Sequence, residues 1–292
     1  MTQRPDPAPA HFSRFAAIDW SGAKGNRHKG IAIAICEAGD AAPALVSPPS
    51  GTWSRREVLD WVRAQADTPT LIGFDFSFAP PIAERGAYLP GEETPATARE
   101  FWAYLDDACD DVDLGAASFL EARRGRHFYF GAADGVKADF MHLRRCEAHF
   151  NAGGGGKPST VYDAIGAAQV AKASFAGMRL LHALRDNVPI WPFDPPPRSG
   201  ALVVEIYTSI AARAAGIRKG RSKVRDGQAL DDALGALETR PHHPLARYDD
   251  HATDAIMAAA WLRMRASDDG LWRPAPLTSR LAATEGWTFG VA

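Results

Sequence analysis

Residues 15–22 read Phe15-Ala16-Ala17-Ile18-Asp19-Trp20-Ser21-Gly22, a short apolar run that ends on an acid and a turn. An apolar run of this length, closed by Ser-Gly, reads as a buried strand. After a Gly/Lys-rich turn comes Gly30–Glu37, where Ile31, Ile33 and Ile35 share one face and alanines the other. That period of two marks a second strand. Ala44–Ser47 makes a third, ended by Pro48 and Pro49. Ser54-Arg55-Arg56-Glu57 then spells a capping box, with Trp53 placed to staple onto Val58. Val58, Trp61 and Val62 follow at helical spacing, so a helix is expected over Ser54–Ala66. Thr70–Phe76 reads as a buried strand, which Pro80-Pro81 keeps from continuing. The order is strand, strand, strand, helix, strand.

From about Ser77 to Ser199 the pattern changes. Thr97–Ala108 reads as a helix opened by a second Thr-x-x-Glu box, and Thr160-x-x-Asp163 as the start of a long helix to about Arg185. Gly153–Gly156 is a flexible joint, and Pro189–Pro197, with five prolines, is a loop. The whole segment, about 77–199, is expected to be a mainly helical insertion. The core resumes at Ala201–Tyr207, an apolar strand carrying Glu205. Next come a short helix ending at Gly216, a helix near Gln228–Leu237, and a final one over about Asp249–Ala266 with Ile256, Ala259, Ala260 and Met264 as its apolar stripe. The expected organisation is a disordered tail over residues 1–12 and one domain over 13–292.

The 292 residues are 46% hydrophobic and 23% charged, which excludes a disordered or fibrous chain. Lys plus Arg number 33 against 35 for Asp plus Glu, a net charge of −2, so nucleic acid would have to be held by a local patch. Apolar stretches such as Ile31–Cys36 fall short of the roughly 18 residues a membrane helix needs. Three cysteines without CxxC spacing point to a reducing, cytoplasmic setting and no cysteine-based metal site.

Four acids sit where a site would want them: Asp19 and Asp75 near the ends of two strands, Glu205 on a third, and Asp254 in the last helix. Ligands of α/β sheets gather beyond the carboxyl ends of strands. On a helix, Asp250 and Asp254 lie about 40° apart, and His251 and Asp254 about 60° apart, so all three can face one point. Converging carboxylates repel unless a proton or a cation intervenes, and oxygen ligands suit Mg²⁺ or Mn²⁺, singly or as a pair. Each acid also has a structural reading as a cap or turn former, with Asp250 the expected N-cap of the last helix. Glu205, on an apolar strand, needs a partner.

These motifs together, Ala17-Ile18-Asp19, Gly73-Phe74-Asp75, Val204-Glu205-Ile206-Tyr207 and His251-x-x-Asp254-Ala255, resemble the domain of unknown function family numbered 429, predicted nucleases of RNase H-like fold. The resemblance spans roughly Phe15–Ala266. It implies an α/β, five-stranded mixed sheet with helices on both faces, interrupted here by the insertion. It also extends to RuvC-type resolvases, whose site places acids or His at the positions of Asp19, Asp75, His251 and Asp254. Asp75 departs from that pattern, which has Glu there. On this reading Asp19, Asp75 and Asp254 hold the metals, Glu205 is a further candidate ligand, and His251 is a ligand or orients the attacking water. The expected activity is metal-dependent phosphodiester hydrolysis.

Arg218, Lys219, Arg221, Lys223 and Arg225 form a basic loop suited to a phosphate backbone, or simply a solvated one. Arg123–Phe130 mixes cations with aromatics, as single-strand binders do, but reads better as a strand with core aromatics. The acids over Asp106–Asp113 read as solvated. Gly153–Lys157 fails as a phosphate loop because Pro158 stands where Ser or Thr is needed. Two rivals remain: an actin-like or sugar-kinase-type nucleotide binder, on the strength of Asp19-Trp20-Ser21-Gly22, and a catalytically silent nucleic-acid-binding scaffold.

Overall fold

The computed structural model describes residues 12–156, 158–166, 169–217 and 224–292. Its sheet has the order β3-β2-β1-β4-β5. The strands are β1 (Arg14–Asp19), β2 (Ala32–Glu37), β3 (Ala44–Leu45), β4 (Thr70–Phe74) and β5 (Leu202–Glu205). β2 runs antiparallel to both β1 and β3, while β4 is parallel to β1 and β5. The outer edge of β5 is covered rather than open. Trp191 N–H donates to Val203 O at one end and Phe289 N–H to Glu205 O at the other, which hides the unpaired backbone that invites edge-to-edge association.

Strand parity divides the core in two. Ala16, Ile18, Ile72, Phe74 and Val203 face one side, packed against helices α1 (Arg55–Arg63), α2 (Ala98–Asp107), α3 (Ala117–Glu121) and α5 (Val170–Leu184). The short α4 (Arg145–Ala152) lies between α3 and α5 in the chain. Phe15, Ala17, Leu71, Leu202 and Val204 face the other side, against α6 (Thr208–Ala214), α7 (Gly227–Ala236) and α8 (Asp250–Arg265), and α9 (Asp269–Trp272). A last helix, α10 (Ser279–Thr284), precedes the C-terminal segment. The molecule is thus α/β, a mixed open sheet with helices on both faces. Burying each such side chain is worth about 1.5–3 kcal/mol. Gly73 serves this packing: a Cβ there would stand 2.7 Å from Ile206 and 2.8 Å from Leu262 of α8. The cysteines Cys36, Cys109 and Cys146 are all free and buried.

Local signals act as the sequence implies where both partners are near in the chain. Ser54 and Glu57 form the full capping box of α1, and Thr97 accepts from the Glu100 amide at the start of α2. Trp53 and Val58 are buried in the same core.

Four expectations are corrected. The helix expected from Thr160 begins only at Val170. Residues 162–164 are instead drawn out beside Tyr129, through Tyr129 N–H to Tyr162 O and Ala164 N–H to Tyr129 O. Thr160 Oγ1 donates to His142 O at 2.6 Å rather than capping a helix. Arg123–Phe130 is a turn closed by Gly125 N–H to Phe128 O, not a strand, although Phe128 is indeed core. Asp113 is not solvated: it is buried with φ of 50°, and its carboxylate accepts from the Arg55 and Arg56 amides at the start of α1 and meets His28 Nε2 at 2.9 Å. Finally, Phe12, assigned to the tail, is buried against Trp272, with ring centroids 6.3 Å apart; residues 1–11 lie outside the described residues.

Candidate active site

Parity and register decide which acids meet. Ile18 pairs with Phe74, so Asp19 and Asp75 follow in line and project to the α8 side of the sheet. α8 crosses that face, with Asp249, not Asp250, as its N-cap, accepting from the Ala252 amide at 3.0 Å. Asp250 is therefore inside the first turn, where Arg225 Nη1 pairs with it at 2.9 Å. His251 and Asp254 lie one turn apart beside Asp19. His251 Nδ1 stands 3.3 Å from Asp19 Oδ2. Asp19, Asp75, His251 and Asp254 all line one cavity of about 440 Å³.

Their electrostatics record the crowding. Burial pushes the Asp75 carboxyl up to about 7, with Asp19 adding repulsion and the Thr208 hydrogen bonds opposing it. Burial likewise takes Asp254 to about 7, helped by Asp19, Asp75 and Asp250. Asp19 is raised by burial, against the pull of the His251 hydrogen bond. His251 in turn is raised above its ordinary value by that hydrogen bond to Asp19. Asp19, Asp75 and Asp254 thus share one pocket, which Glu147, Glu205, Asp250 and the Arg144 guanidinium also line, and His251 is the basic group hydrogen-bonded to Asp19. Repulsion of this kind is relieved by protons or by a cation.

The residues around them hold the acids in place. Thr208, at the start of α6, donates its Oγ1–H to Asp75 Oδ2 at 2.8 Å. The loop after β1 is clamped to α5: Trp20 Nε1–H donates to Ala173 O at 3.0 Å, and a Cβ on Gly22 would stand 2.2 Å from Ala173 N. Arg55, buried at the start of α1, donates to Ser21 O at 3.0 Å and to Ala23 O at 2.6 Å. None of Thr208, Arg55 or the Gly22 contact was among the expected site residues. A Thr placed just after a strand that ends in Glu-Ile-Tyr is the signal that marks Thr208 in the sequence.

Glu205, expected as a metal ligand, lines the same cavity and adds to the repulsion on Asp75, but its oxygens are taken up by other partners. Phe74 pairs with Glu205, so its side chain takes the parity opposite to Asp75. Its carboxylate is gripped by both terminal nitrogens of Arg144, and also accepts from the Phe78 amide at 2.8 Å and from Thr288 Oγ1 at 2.6 Å. Arg144 Nε also donates to Glu147 at 2.9 Å. This fully paired, buried cluster joins the segment between β4 and β5 to β5 itself and to the C-terminal segment, and leaves no lone pair of Glu205 for a cation. Of the basic loop, Arg225 pairs with Asp250 at the cavity rim; Arg218, Lys219, Arg221 and Lys223 lie outside the described residues, as does Lys157.

Among the described residues, no group of three or more His, Cys, Asp or Glu side chains is arranged to hold a metal ion as the chain stands. No helix among them is long and apolar enough to cross a membrane. No family model matches the chain, and neither a curated protein nor a solved structure matches it.

Proposed function

We propose that this chain is a divalent-metal-dependent phosphodiester hydrolase of RNase H-like fold, with Mg²⁺ or Mn²⁺ held by Asp19, Asp75 and Asp254. The observation that carries the reading is the meeting of Asp19, Asp75 and Asp254 in one cavity, with Asp75 and Asp254 pushed to about 7 by burial and by the Asp19 charge. Structural caps have no reason to converge in this way. The donor set is all oxygen, which fits these hard cations. The five-stranded mixed sheet, helical on both faces, is the arrangement that the sequence resemblance implies.

A cation bound here would stabilise charge on phosphoryl oxygens. The chain's own residues do the rest. Thr208 fixes the Asp75 rotamer, and the Trp20 and Gly22 contacts hold the turn that follows Asp19. His251 is half exposed at the cavity wall and hydrogen-bonded to Asp19 through Nδ1, so Nε2 is the nitrogen left to exchange a proton with an attacking water or a leaving oxygen.

The test is calorimetric titration of Mn²⁺ into wild type and Asp19→Asn, with hydrolysis of bis(p-nitrophenyl) phosphate followed alongside. Saturable binding and Mn²⁺-dependent release of p-nitrophenol are expected from wild type, and neither from a folded Asp19→Asn. A wild type that neither binds Mn²⁺ nor hydrolyses the ester would return the carboxylates to a structural role.

A further inference from the structure

The acids line a cavity to which the segment between β4 and β5 also contributes. β1, the end of β4 and α8 supply Asp19, Asp75 and Asp254, and Glu147 and Phe150 of α4 with Val170 and Ala173 at the start of α5 also line the cavity. The Asp19 side chain keeps only 13% of its exposure. A volume of about 440 Å³ falls within the ~300–1,000 Å³ of small-molecule sites. A double helix is stiff, with a persistence length of ~50 nm, and carries its phosphates on a convex surface. It cannot feed a phosphate into such a recess without being opened.

The upper wall is aromatic. Phe150 and Tyr207 are both half-buried, both line the cavity and meet edge to face with centroids 5.8 Å apart. The Phe150 ring is held from behind: a Cβ on Gly155 would stand 2.4 Å from it, and the Arg213 guanidinium lies 5.5 Å from its centroid. Rings fixed in advance lose little freedom on binding, and every base has a flat face to lay against them. Trp20, Phe76 and Ile206 continue the apolar lining inward towards the acids.

From this enclosure, and resting on the hydrolase reading above, we infer that the site takes one unpaired nucleotide unit. Its phosphodiester reaches the carboxylates and its base packs against Phe150 and Tyr207. The unit is either the end of a single strand or a small nucleotide ester; hydrolysis adds water across one P–O bond, leaving a phosphomonoester and an alcohol. On this inference a duplex, or a strand without ends, is not a substrate.

The experiment compares four substrates in Mn²⁺: thymidine 5′-(p-nitrophenyl phosphate), a linear single-stranded DNA, the same strand circularised, and its covalently closed duplex. Binding of thymidine 5′-monophosphate to the Mn²⁺-loaded protein is measured by calorimetry in parallel. The expected result is turnover of the nucleotide ester, no cleavage of circle or closed duplex, and at least tenfold weaker thymidine monophosphate binding in Phe150→Ala and Tyr207→Ala. Mn²⁺ affinity should be unchanged in both variants. Stepwise release of mononucleotides from the linear strand assigns the site to strand ends, and an intact linear strand assigns it to small esters. Cleavage of the circle or closed duplex as fast as the linear strand overturns the inference while leaving the hydrolase reading in place. So does thymidine monophosphate binding unaltered in both variants. Failure of wild type to bind Mn²⁺ or to turn over any substrate overturns both.

Discussion

Asp75 is the residue on which burial and charge act most plainly in opposition. Its carboxyl is pushed to about 7, yet Thr208 offers it two donors, the backbone amide at 3.4 Å and the hydroxyl at 2.8 Å. Asp75→Asn keeps the size and the Thr208 contacts, since a hydroxyl accepts as well as donates. It removes one of three mutually repelling charges. The expected outcome at pH 8 in EDTA is a higher melting temperature than wild type, by roughly 2–4 °C for each kcal/mol of repulsion relieved. Mn²⁺ should then fail to stabilise the variant. A melting temperature equal to or below that of wild type would argue that the Asp75 charge is not under repulsion. Glu205 shows the other outcome for a buried acid. It still repels Asp75, but one residue of parity sets its oxygens in the grip of Arg144.

At the scale of elements, the turn after β1 is fixed by α5, a helix 150 residues further along the chain. Gly22 permits this because its missing Cβ is where the α5 backbone passes. Gly22→Ala must part the two elements, disturb the Trp20 contact with Ala173 and shift Asp19. We expect the variant to stay folded, with Mn²⁺ affinity and ester hydrolysis reduced at least tenfold; unchanged affinity would mean that the turn does not position Asp19. Nothing local announces this contact, and the same is true of much that the sequence leaves unread. The strands, α1 with its capping box, and the alignment of Asp19, Asp75, His251 and Asp254 are legible because period, caps and strand ends are local signals. The start of α5 was misplaced because Thr160 and Asp163 carry cap chemistry that distant partners, His142 and Lys137, take up instead. Asp113 looked like one more surface acid because its partners, His28 and the α1 amides, lie over 50 residues away. The role of Glu205 rests on the pairing of Phe74 with Glu205, a register that neither stretch of sequence carries by itself.

For the whole molecule, the site makes stability depend on pH in a direction opposite to that of most carboxylates. Asp75 and Asp254 bind protons more tightly in the folded chain, at about 7, than the ~3.9 of an unfolded aspartate. Their contribution is therefore complete below pH ~4 and is lost as pH rises through about 7. His251, raised by Asp19, adds a loss of the same sign at the upper end of that range. Asp113 acts the other way. Burial would raise it, but His28 and the Arg55 and Arg56 amides hold it below its ordinary value, so its share is lost only as pH falls through that lowered pKa. In EDTA the melting temperature is expected to decline from pH 5 to pH 8. In Mn²⁺ the gap over EDTA should widen over the same span, because cation and protons compete for the same oxygens. A melting temperature flat from pH 5 to 8 in EDTA would count against the clustered acids. The two faces of the sheet also carry their own clocks. Cys109 belongs to one core and Cys36 and Cys146 to the other, and burial pushes their thiols up to about 12, 11 and 12. A thiol held neutral and out of contact with solvent does not react with an alkylating reagent. Modification of Cys36 and of Cys109 thus waits for its own layer to part from the sheet, whereas Cys146 also borders the cavity, and the order in which Cys36 and Cys109 are labelled reads out which side of the molecule breathes first.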